Sequence, residues 1–114
     1  MLPPSAPLTV KVEDSGSGVV LSMSGDLDLA TIGQVMAAVD RIDVARVGLV
    51  VLDLRGVEFL DLAGLKAILR SVDYCTEHGV QVTVVKPRGF ASRVFTLTRV
   101  HLELDLVDAP RPSP

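Results

Sequence analysis

The sequence is poor in residues that staple a fold or hold a metal. One cysteine, Cys75, stands in 114 residues, which excludes an intramolecular disulfide framework and a cysteine-built metal cluster. The two histidines, His78 and His101, are not spaced with Cys75 or a carboxylate as a zinc motif requires. There is no basic excess. Eleven Lys and Arg face fourteen Asp and Glu, for a net charge of −3, and the pI is near 5.2. That balance argues against a broad nucleic-acid face. Mean hydropathy is +0.44, yet the apolar runs, such as Val47 to Leu52, fall far short of the ~20 residues a spanning helix needs. Met1 to Pro7 carries three prolines and no basic residue, so it does not read as a signal peptide. A cytoplasmic, non-membrane chain is the expectation. There is no Gly-x-Ser-x-Gly, no internal repeat and no phosphate loop. Gly16 and Gly18 precede a strand rather than a helix.

What is present is core material. Hydrophobic residues make up 48% of the chain, too many for a disordered polymer. A domain of this length buries roughly 65% of its unfolded surface, enough for one core and too little for two. The expected organisation is a tail over 1–7, a domain over 8–108 and a Pro-rich tail over 109–114, since Ala-Pro-Arg-Pro-Ser-Pro cannot feed a hydrogen-bond ladder.

Periodicity predicts the elements. Leu8, Val10 and Val12 alternate with polar residues, and Val19, Leu21 and Met23 fall on one face of the segment Val19 to Ser24, so both read as strands. The Gly/Ser turn at 14–18 makes them antiparallel. Thr31 and Gln34 fit a capping box, and Ile32, Val35, Met36 and Val39 recur at helical spacing. Gly33, a weak helix former, suggests close packing there. Val47 to Leu54 reads as a central strand covered on both faces, ended by a turn at Arg55-Gly56-Val57-Glu58, with Phe59 and Leu60 buried. Asp61 is placed to cap a helix whose stripe is Leu62, Leu65, Ile68, Leu69, Val72 and Cys75. His78-Gly79 ends it. A strand over Val80 to Val85, a helix over Phe90 to Thr98 and a strand over Val100 to Leu106 complete the order ββαβαβαβ. This predicts an α/β (α+β) domain: a mixed, mostly parallel sheet of five strands with helices packed on it. An exposed edge strand would support a weak homodimer.

Chemistry is harder to find. Asp26, Asp28 and Asp61 lie in loops entering helices. Acid–base work needs one of them buried with a raised pKa, whereas a capping and loop-solvating role needs nothing further. Cys75 on an apolar stripe reads as a small buried hydrophobe. Lys86, Arg88, Arg93 and Arg99 cluster around the third helix, as a solvated face or an anion-facing patch. No catalytic, metal or cofactor site is expected, and the chain is not read as an enzyme.

Three stretches carry a family likeness. Val50-Val51-Leu52-Asp53-Leu54-Arg55-Gly56-Val57-Glu58-Phe59-Leu60-Asp61-Leu62-Ala63-Gly64-Leu65 resembles the signature of STAS domains, specifically bacterial anti-sigma factor antagonists (anti-anti-sigma factors). Ser24-Gly25-Asp26-Leu27-Asp28-Leu29-Ala30-Thr31 is similar to that family's Gly-Glu/Asp-Leu-Asp-x-x-Thr. Arg93-Val94-Phe95 is similar to its Arg-x-Phe segment. The resemblance covers about residues 8 to 108.

It implies a transcription-regulating module of the bacterial stress response, which docks on an anti-sigma factor, usually a GHKL-type serine kinase, and frees a sigma factor. In the family the kinase then phosphorylates a serine after the motif aspartate, and the added charge opposes rebinding. By this resemblance the partner-binding residues are Asp26, Asp28, Thr31, Phe59, Asp61, Leu62, Ala63 and Gly64. The acceptor position is Leu62, followed by Ala63. Neither has a hydroxyl, so the docking surface is retained and the switch is absent. Leu62 either belongs to the core stripe or stands exposed at the helix start as apolar contact area for a partner. The alternative function is a STAS module recruited as a small-ligand sensor or a subunit of another regulatory assembly.

Overall fold

The computed structural model describes residues 7–98 together with Leu106 and Val107. Its elements are β1 (Thr9–Asp14), β2 (Gly18–Leu27), α1 (Ile32–Asp40), β3 (Leu49–Leu60), α2 (Leu62–Glu77), β4 (Gln81–Val85), α3 (Gly89–Thr98) and β5 (Leu106–Val107). The strands form one sheet in the order β1-β2-β3-β4-β5. β1 and β2 are antiparallel, as their short turn demands, and every later pairing is parallel. This is the expected α/β arrangement. The tails and most of the segment expected as the last strand lie outside the described residues.

One face of the sheet carries the core. Leu21, Met23, Val50, Leu52, Leu54, Val82 and Val84 point into it, and helices cover it. α1 contributes Val35 and Val39, α2 contributes Leu65, Ile68 and Cys75, and α3 adds Ala91 and Phe95 to the same buried cluster. α1 and α2 also pack on each other. The helical periodicity of the sequence is thus the record of one apolar layer. The other face of β1, β2 and β3 shows Lys11, Ser22, Asp53 and Arg55. The valine run is therefore apolar on one side only beyond Leu52, because Asp53 sits at the next pleat.

Four local expectations are corrected. No turn forms at Arg55-Gly56. β3 runs on to Leu60, because its pairing with β2 continues past a register shift between Ser22 and Ser24. Gly56 fits there for steric reasons: a Cβ would lie 2.7 Å from that of Ser24. Phe59 is 43% exposed while Leu60 is buried, since consecutive strand residues face opposite sides. The Thr31–Gln34 capping box does not form, because the Thr31 hydroxyl is committed elsewhere. Gly33 is exposed with open space around it, so nothing packs closely there. By contrast Gly79 follows α2 at φ +80°, the left-handed conformation that suits glycine after a helix end.

Candidate functional site

The parallel pair β2–β3 delivers two chain segments to one edge of the molecule. Its register sets Asp26 beside Phe59 and Leu27 beside Leu60. Past these residues one strand enters the loop to α1 and the other enters α2. Two contacts lock the exits together. The backbone N–H of Asp61 donates to the Leu27 carbonyl at 3.4 Å. Gly64 packs so closely on that same carbonyl that no Cβ would fit.

The start of α2 is well capped. Asp61 has extended backbone and its Oδ1 accepts from the N–H of Gly64 at 2.8 Å, satisfying one of the orphan donors of the first turn. The loop before α1 is held by Thr31. Its hydroxyl donates to the Asp26 carbonyl at 2.8 Å and accepts from the N–H of Asp28 at 3.0 Å. Asp28 in turn accepts from the N–H of Ala30 at 3.0 Å. Thr31 is largely buried, so it shapes the loop from inside. Gly64 is likewise buried, whereas Asp26, Asp28, Asp61 and Ala63 are half-buried.

Leu62 is the first residue of α2 and is 59% exposed. It does not belong to the buried stripe, which starts at Gly64 and Leu65. Phe59 lies exposed just before it. Leu29, across the loop, is 73% exposed. Sequence reasoning missed Leu29 and the groove beside it. That groove, of about 210 Å³, runs between α1 and α2, with Leu29, Ile32, Met36 and Ala67 as apolar lining and Lys66 and Arg70 on its rim. The signal was available: Leu62, Lys66 and Arg70 recur every four residues and so share one helix face. The corner thus combines exposed apolar side chains with carboxylates on one side and two cations on the other.

Other candidates fall away. Cys75 is buried, and burial pushes its thiol up from the ordinary range. His78 closes α2, with Nδ1 2.8 Å from the Tyr74 carbonyl. Among the described residues no group of His, Cys, Asp and Glu is arranged to hold a metal ion, and no helix is long and apolar enough to cross a membrane.

The profile of the STAS domain family matches residues 9–109. The chain belongs to the STAS domain family. Among solved structures, an anti-sigma factor antagonist from Mycobacterium paratuberculosis is 29% identical to this STAS domain. The match covers 90% of this chain and 86% of that one, with a TM-score of 0.78. SpoIIAA, an anti-sigma factor antagonist, is similar at 17% identity in its unphosphorylated form, covering 90% of each chain with a TM-score of 0.74. The phosphorylated form of SpoIIAA, a Bacillus cell fate determinant, is similar at 17% identity over 90% of this chain and 93% of that one, TM-score 0.69. At that identity the likeness to SpoIIAA speaks of the fold alone. No curated protein matches the chain.

Proposed function

We propose that this STAS domain is an anti-sigma factor antagonist that docks through the Leu27–Gly64 corner onto an anti-sigma factor with a GHKL-type serine kinase domain, releasing its sigma factor, and that phosphorylation does not undo the docking. The likeness to the mycobacterial antagonist over nearly the whole of both chains supports the general role. The observation that carries the rest is Leu62, exposed directly after the cap aspartate. An alkyl side chain has no oxygen to take a phosphoryl group. It adds apolar area to a surface already bearing Phe59 and Leu29. Thr31 and Ser71 are buried, so their hydroxyls are out of a kinase's reach in the folded domain. Asp26, Asp28 and Asp61 supply the negative rim of the surface, and Lys66 and Arg70 the positive one, a pattern that orients a partner and sets its association rate more than its affinity.

The test is a binding assay against the anti-sigma factors of the native cell, with and without ATP. Binding should be indifferent to ATP, and intact-mass measurement should find no phosphate on the antagonist. Leu62→Ser should gain a phosphate and lose binding when the kinase is active. Leu62→Asp should weaken binding about tenfold or more, since it places a charge in an apolar contact beside Asp61. Stoichiometric phosphorylation of the parent protein with loss of binding would overturn the reading.

A further inference from the structure

The sheet face opposite the helices holds a depression of about 490 Å³ that spans β1, β2, β3 and the loop before α3. Its charges run against those of the chain. Lys11, Arg55 and Arg88 line it with a single carboxylate, Asp53, in a protein of net charge −3.

The carboxylate is already spent. Its Oδ1 accepts from the backbone N–H of Arg55 at 3.1 Å and from Nε at 3.0 Å, and its Oδ2 accepts from Nη2 at 2.7 Å. Asp53 is 7% exposed, so this clamp is partly shielded from water. It neutralises Asp53 and fixes the Arg55 guanidinium, leaving the Nη1 donors unengaged among the described residues. The side chains of Lys11 and Arg88 make no hydrogen bond or ion pair with a described residue, and the same holds for the hydroxyls of Ser22 and Ser24. Ser22 lies between Lys11 and Asp53 in register across the three strands. The depression therefore presents uncommitted cationic donors and adaptable hydroxyls, and its one carboxylate is already compensated. Two positive charges remain after Arg55 is counted against Asp53.

We infer that this depression on the open sheet face binds a doubly charged phosphate group, free or as a monoester, between Lys11, Arg88 and the Ser22 and Ser24 hydroxyls. A phosphate dianion presents three strong acceptor oxygens, with one P–OH besides in the free ion, matches the surplus of two charges, and takes charge-assisted hydrogen bonds from ammonium and guanidinium groups. The site lies across the sheet from the apolar core and is independent of the partner-docking corner.

The test is NMR titration of the full chain at about pH 8, where a phosphomonoester is dianionic, with inorganic phosphate and with glycerol 2-phosphate. Sodium chloride at equal ionic strength is the reference. Saturable shifts are expected at the amides of Ser22, Ser24, Arg55 and Gly56. Lys11→Ala and Arg88→Ala should each weaken binding about tenfold, the scale of one lost charge-assisted hydrogen bond. Both residues are exposed, so these variants keep the fold. Tighter binding of the ester assigns the site to phosphorylated metabolites, and equal or weaker binding assigns it to the free ion. Shifts no larger than those from chloride, or a Lys11→Ala/Arg88→Ala double variant that binds like the parent, would overturn the proposal.

Discussion

Leu27 and Gly64 meet where the two strand exits cross, with the Leu27 carbonyl occupying the space a side chain at position 64 would need. The same carbonyl accepts from Asp61. The loop before α1 and the cap of α2 therefore move as one unit. The exposed residues they carry, Leu29 and Leu62, are thereby held in a fixed relation.

Gly64→Ala is expected to cost about 1–3 kcal/mol, because backbone rather than a flexible side chain must give way. Urea denaturation measures this. Partner affinity should fall as well, although residue 64 is buried, because the two loops are pushed apart.

Asp61→Ala should remove the cap and cost about 1 kcal/mol, read as a lower thermal midpoint. Asp61→Asn keeps a capping oxygen and should restore most of that stability. Any binding defect that survives in Asp61→Asn reports the charge rather than the fold.

Acid should weaken the domain through Asp53. The hydrogen bonds from Arg55 hold its carboxyl below the usual carboxylate range, with the charge of Arg88 adding to the effect. A depressed folded-state pKa stabilises the fold above the unfolded value of about 3.9. That contribution is lost as pH falls below about 4, through the folded value. Asp53→Asn should flatten the stability profile in that window. Arg55→Ala should lower stability near pH 7, by leaving a largely buried carboxylate without its hydrogen-bond partner, and lower it less at pH 3. Urea midpoints across about pH 3–7 follow both.

Cys75 should resist thiol reagents in the native protein. Burial removes access and disfavours the thiolate. Its labelling rate should rise steeply with urea and track unfolding. Fast labelling in native buffer would place Cys75 at the surface, contrary to its 1% exposure.

Local pattern determined much of this molecule. The spacing of Val35 and Val39, and of Leu65, Ile68 and Cys75, names the buried faces of α1 and α2, because a helix repeats its face every 3.6 residues whatever it packs on. Asp61 as a cap and Gly79 as a helix end depend on backbone conformation within one turn. The motif around Leu62 was legible for the same reason, since its residues are contiguous.

Tertiary structure decided what neighbours impose. Arg55-Gly56 has the composition of a turn, yet pairing with β2 keeps it extended, and only that pairing shows why residue 56 has no side chain. Phe59 turned outward because the sheet register assigned the inward place to Leu60. Thr31 gave its hydroxyl to the loop rather than to the helix. Leu29 and Arg70 border one groove although 41 positions separate them. A contact between distant segments depends on how the strands stack. Side-chain spacing along the chain carries no information about that distance.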